Sequence, residues 1–141
     1  MLCSDKYMNV NALTLTSLLI LPGLVQAAIP AETDRAFADF TALPLELLPV
    51  LEGVTNRDSA EQSAEKLNAL LPRVYDSRTA MTRIETLTPE VKRELLQKYE
   101  KDMRTNWGKV YEQIFRLQNQ RCYNSLAFFK QFHALCMMLE K

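Results

Sequence analysis

The chain has 141 residues, 17 basic and 17 acidic side chains, no net charge and only three glycines. Charges of both signs are interleaved, so nothing electrostatic points to a nucleic-acid partner or an anionic membrane surface. The length suits one domain around one hydrophobic core. β-Branched residues never alternate over a strand-length run, so the helical period is the strong signal and the fold expected is all-α.

In chain order, the first feature is the uncharged stretch 12–28. Its apolar run from Leu18 to Leu21, the helix-breaking Pro22-Gly23 and the small-residue end Val25-Gln26-Ala27 match the apolar region and cleavage site of a secretory leader. The expected division is a signal peptide over 1–27, an extended or weakly helical segment over 28–43 and a helical bundle domain over 44–141. Lys6 is offset by Asp5, which leaves the cationic start of the leader poor. An uncleaved membrane anchor is therefore the alternative, and membrane contact is expected only in that case. A cleaved leader implies a periplasmic or secreted protein.

A short N-terminal helix is predicted over 44–52, with Leu45, Leu47, Leu48, Val50 and Leu51 apolar, Pro49 shortening or kinking it, and Gly53 ending it. Asp58 and Glu61 have the spacing of a capping box that opens a longer helix. Along that helix Ala60, Ala64, Leu67, Leu71, Val74, Arg78 and Met81 follow alternating four- and three-residue steps, a coiled-coil-like stripe broken only at Arg78. Thr88 as N-cap, Pro89 at the first helical position and Glu90 at the positive end of the dipole start a second long helix. Its stripe runs Val91, Leu95, Tyr99, Met103, Trp107, Val110, Ile114 and Leu117. So short a connection predicts a long antiparallel helical hairpin, with Leu67 near Val110 and Arg78 near Tyr99. Pro72 and Gly108 weaken the two helices at the same level, beside Trp107. Either Gly108 makes room for the indole and Pro72 is a tolerated kink, or Pro72, Trp107 and Gly108 form a hinge or groove.

After Leu117 a polar run and Tyr123-Asn124-Ser125 predict a turn, with Asn124 or Ser125 capping a last helix, Leu126–Glu140. Its apolar residues Leu126, Phe128, Phe129, Phe132, Leu135, Cys136, Met137 and Leu139 spread over about 200°, where a surface helix needs about 100°. This helix needs cover on two sides. Either it packs between the hairpin and the N-terminal helix, or part of its face meets another molecule. In the second case Phe128, Phe129, Phe132 and Met138 are the candidate interaction surface, because aromatic and methionine side chains are enriched where proteins meet.

His133 is the only histidine, which removes a catalytic triad or a multi-histidine metal site within one chain. It lies inside the apolar arc, where a partly buried structural role is expected. There is no C-x-x-C-H haem site and no glycine-rich phosphate loop, and no cofactor is expected. Carboxylate pairs such as Glu61 and Glu65, or Glu90 and Glu94, have the spacing of solvated helix faces and lack the Glu-x-x-His of a di-iron bundle, so no metal is expected either. Cys3 leaves with the leader. Cys122 and Cys136 would stand about 21 Å apart along continuous helix, whereas a disulfide needs Cα atoms within roughly 7 Å. Two free thiols are expected, Cys136 buried and Cys122 near the turn, with dimerisation through Cys122 as the alternative.

The stretch 51–67, LEGVTNRDSAEQSAEKL, followed by a second long charged helix, resembles exported helical proteins of Gram-negative bacteria, a resemblance that brings no activity with it. Leu87-Thr88-Pro89-Glu90 is similar to the Leu-Thr-x-x-Gln motif of small periplasmic chaperones of the Spy and CpxP type, with Val91 at the glutamine position and one copy in place of two. The function expected is that of an exported helical bundle acting by protein–protein interaction in the cell envelope, with another protein or a copy of itself, and without catalysis. The second resemblance implies the alternative, a periplasmic chaperone or stress-response protein.

Overall fold

The computed structural model describes residues 27–140, so the predicted leader lies outside the described residues except at Ala27. Among the described residues the structure is all-α: α1 (Ala31–Glu52), α2 (Arg57–Thr82), α3 (Pro89–Asn119) and α4 (Leu126–Glu140), with 3-10 turns at Arg83–Thr86 and Arg121–Asn124.

The N-terminal helix is much longer than its sequence suggested, beginning at Ala31 and carrying both Pro44 and Pro49 in its interior. The segment 28–43, expected to be extended or weakly helical, is therefore mostly α1. Glu32 and Asp34 sit in its first turn, where the helix dipole favours negative charge. A proline has no N–H to give the carbonyl four residues back, so Pro44 strips the Phe40 carbonyl of its helical partner. The indole Nε1–H of Trp107 on α3 takes its place, donating to that carbonyl at 3.0 Å, and the two rings stack with centroids 4.8 Å apart. Beside it the Asn106 amide donates to the Thr41 carbonyl at 3.1 Å. Pro44, expected at the helix start, is tolerated in the helix interior because a neighbouring helix repairs its defect.

The capping box of α2 lies two residues before the expected one. Asn56 accepts from the Ser59 N–H at 2.9 Å, and Ser59 Oγ accepts from the Asn56 N–H at 3.0 Å, so Asp58 and Glu61 are not the pair. For α3 the expected start holds: Pro89 is at the first turn, and Thr88 accepts from the Val91 N–H at 3.4 Å. Ser125 caps α4, its hydroxyl accepting from the Phe128 N–H at 3.3 Å. Between α3 and α4 the chain makes a left-handed turn: Arg121, Cys122, Tyr123 and Asn124 all have positive φ, from 48° to 59°. L-residues resist this conformation by about 1–2 kcal/mol each. Burial of Cys122 and the approach of the Tyr123 hydroxyl to Arg116 at 3.2 Å hold the turn in place.

Close backbone packing runs between α1 and α3, between α2 and α4, and between α1 and α2. The side-by-side packing expected of the two long helices is not among these pairs. Their stripes instead meet in a shared core, where Leu67, Leu71 and Val74 join Trp107, Val110, Ile114 and Leu117 together with residues of α1 and α4. The full length of α1 is the physical reason, since a 22-residue helix supplies the neighbour that a short one could not. A smaller cluster of Phe37, Val91 and Leu95, lined by Ala27, Ile29 and Leu87, closes the end where α1 begins.

Candidate functional site

Burial divides α4 sharply. Phe128, Phe132 and Leu135 point into the core, with Phe128 at 0% exposure and Phe132 at 3%. Two members of the expected interaction surface are therefore core residues, because the inner half of the apolar arc is the half that covers α2. The opposite face carries Leu126 at 81% exposure, Phe129 at 50% and Met137 at 44%. With His133 these residues follow i, i+3, i+7 and i+11 spacing, one stripe along the helix. His133 is exposed rather than partly buried, and its ring stacks on Phe129 with centroids 6.0 Å apart and an interplanar angle of 16°. Met138, the fourth candidate, is half-buried and lies round the helix from this stripe.

Met138 instead lines a cleft of about 450 Å³ between α2 and α4, bounded by Tyr75, Arg78, Thr79 and Thr82 on one side and Ala134, Met137 and Met138 on the other. The cleft wall is mostly apolar. Its one charged side chain is Arg78, the break in the α2 stripe. Arg78 does not meet Tyr99 as the hairpin register implied, and among the described residues it has no hydrogen-bond or ion-pair partner. The Thr79 and Thr82 hydroxyls are committed, donating to the Tyr75 and Thr79 carbonyls at 2.9 and 2.7 Å.

The expected hinge of Pro72, Trp107 and Gly108 is not assembled. Trp107 is buried against Phe40, whereas Pro72 and Gly108 are exposed, and a Cβ on Gly108 would meet nothing within 4 Å. The indole therefore needs no space from Gly108, and the proline it answers is Pro44. Sequence reasoning passed over Arg116, whose guanidinium donates to the Leu51 and Val54 carbonyls at 2.8 and 2.9 Å and so closes the C-terminal end of α1. A lone arginine on an amphipathic helix carries no mark of that role.

Groups in two places have shifted acidity for clear reasons. At the start of α1, Lys98 donates to both Asp34 oxygens at 2.8 and 2.9 Å and the Tyr99 hydroxyl donates to Oδ1 at 2.8 Å, holding the Asp34 carboxyl below its ordinary value. Cys122 and Cys136 are both free thiols. Cys122 lies in the turn as expected but is the more buried of the two, because the left-handed turn drives it inward, and Cys136, expected to be buried, is half-buried. Burial pushes the Cys122 thiol up to about 11, with a further rise from nearby Cys136, which leaves it a poor nucleophile. Among the described residues no group of three or more histidine, cysteine, aspartate or glutamate side chains is placed to hold a metal ion, and no helix is long and apolar enough to cross a membrane.

No family model, characterised relative or solved structure matches the chain.

Proposed function

We propose that this protein is an exported helical bundle that acts in the cell envelope by protein–protein interaction, with the outward face of α4 as its contact surface. The observation that supports this reading is the stripe of Leu126, Phe129 and Met137, three large apolar side chains exposed along one face of a helix whose other face is core. Contiguous exposed apolar residues of this kind mark binding surfaces, and aromatic and methionine side chains are enriched at them. In this reading α2 presents α4 from the bundle, and residues 1–27 serve as the export leader.

Two measurements test it. Cross-linking and pull-down from the native envelope should recover one defined partner, or a second copy, with the wild-type protein and not with Phe129→Ser, whose melting temperature should stay within a few degrees of wild type. Equal recovery by the two proteins would remove α4 as the surface. Intact mass of envelope-derived protein should begin at Ala28, and a chain still carrying Met1 would replace the leader with an anchor. Stoichiometric suppression of client aggregation with no defined partner would favour the chaperone alternative.

A further inference from the structure

From the α2–α4 cleft we infer that the protein has a small-molecule site for a single-chain carboxylate amphiphile of the fatty-acid class, with the carboxylate on Arg78 and the chain along Ala134, Met137 and Met138. The volume of about 450 Å³ falls in the range of ligand pockets, roughly 300–1,000 Å³. The lining has the composition such sites show, mostly apolar with a few convergent polar groups.

The charge at the site selects the head group. A half-buried guanidinium beside apolar side chains loses part of its hydration, and here no carboxylate or carbonyl of the described residues replaces it. Its planar fork of donors fits a carboxylate with two parallel hydrogen bonds. The Tyr75 hydroxyl is a second donor at the rim, while the neighbouring threonine hydroxyls already give their protons to backbone carbonyls. No acidic side chain lines the cleft, so nothing in it opposes an anion.

The tail is selected by the opposite wall. Methionine side chains are unbranched and adjust to irregular apolar shapes, which suits a flexible hydrocarbon chain. Among the described residues no side-chain hydrogen bond crosses from α2 to α4, so the two helices can part slightly without breaking a polar contact. A membrane surface is a poorer fit. Recognition of anionic lipid layers rests on clusters of about 4–8 basic residues, and this cleft offers one. The occupant is therefore a free, monomeric amphiphile. This site shares Met137 with the α4 stripe but not Phe129, so Phe129→Ser leaves its lining untouched.

Calorimetric titration of the purified chain with dodecanoate, kept below its micelle-forming concentration, tests the inference. Saturable one-to-one binding is expected, with dodecanol at least tenfold weaker. Arg78→Gln should weaken dodecanoate binding at least tenfold and leave the melting temperature unchanged, since Arg78 gives up no partner within the protein. Ala134→Trp, which fills the cleft, should abolish binding of both ligands. Should that variant fail to fold, Thr79→Glu, an exposed substitution that sets a carboxylate beside Arg78, should abolish dodecanoate binding alone. Absence of saturable binding, an Arg78→Gln variant with wild-type affinity, or binding seen only with phosphatidylglycerol vesicles would each overturn the inference.

Discussion

The two long seams of this bundle are held by different physics. Between α1 and α3 the contact is studded with directional bonds: Trp107 to the Phe40 carbonyl, Asn106 to the Thr41 carbonyl, Arg116 to the Leu51 and Val54 carbonyls, and Lys98 and Tyr99 to Asp34. Between α2 and α4 the described residues show only apolar packing, from Leu67, Leu71 and Val74 against Phe128, Phe132 and Leu135. Directional bonds fix the register of a helix pair, because each donor has one acceptor. Apolar packing fixes the buried area and tolerates adjustment. The open cleft lies in the second seam, where adjustment costs least, and the exposed stripe runs along the outer face of the same α4.

The comparison breaks most visibly if α4 can lose its core side chains. Phe132→Ser removes a buried ring and buries a hydroxyl, which should cost about 3–5 kcal/mol. That is a large part of the roughly 5–15 kcal/mol typical of a folded domain, so thermal melting followed by circular dichroism should show collapse or loss of the transition. Phe129→Ser, three positions earlier and half exposed, should leave the melting temperature nearly unchanged. Similar melting of the two variants would mean that the division of α4 into inner and outer faces is wrong.

The next largest effect sharpens the other seam. Arg116→Met keeps an apolar stem but removes its donors to the Leu51 and Val54 carbonyls, leaving the Val54 carbonyl unpaired and Leu51 with only the Val54 N–H at 3.2 Å. Hydrogen bonds from charged donors contribute about 1.5–3 kcal/mol, and the loss should fall in that range by denaturant titration. Replacement without measurable cost would show that water replaces the arginine and that the seam is polar without being held by its polar groups.

Trp107→Phe preserves most of the stacking on Phe40 and deletes one donor, at an expected cost of about 1–3 kcal/mol for the orphaned carbonyl. A double-mutant cycle with Pro44→Ala isolates the cause. In that background position 44 regains a backbone N–H that can bond the Phe40 carbonyl, so the same tryptophan substitution should cost less. An equal cost in both backgrounds would separate the indole from the proline.

The all-α class, the Thr88-Pro89 start of α3 and the Leu126 start of α4 were readable because they rest on local chemistry: hydrophobic period, capping and proline position. The length of α1 was not. Pro44 reads as a helix start and Pro49 as a kink in isolation, and the donor to the Phe40 carbonyl that Pro44 leaves open lies on Trp107, 67 residues from Phe40 in sequence. The turn before α4 was legible but its left-handed form was not, since its positive-φ residues include no glycine and are held there by tertiary contact. For α4, an apolar arc of about 200° says that two faces need cover without saying which one receives it. Arg78 was visible as an interruption of a stripe, but its lack of a partner is a property of packing.

The smallest expected effect concerns the exposed end of the polar seam and is read from its pH dependence. The Asp34 carboxyl is held below its ordinary value of 3.8 by hydrogen bonds from Lys98 and then Tyr99, so its contribution is present above pH 3.8 and fades as pH falls through the lower folded value. Lys98 moves the other way, raised above 10.5 chiefly by its hydrogen bond to Asp34, so its contribution is present below pH 10.5 and fades as pH climbs through the raised value. Asp34→Asn should therefore melt slightly lower than wild type across the neutral range. The difference should close at both acid and alkaline extremes, and it should shrink in high salt because the groups are solvent-facing. A difference that persists unchanged at strongly acid pH would assign the effect of the substitution to lost packing at the first turn of α1. In that case the directional character of the α1–α3 seam would rest on Trp107, Asn106 and Arg116 alone.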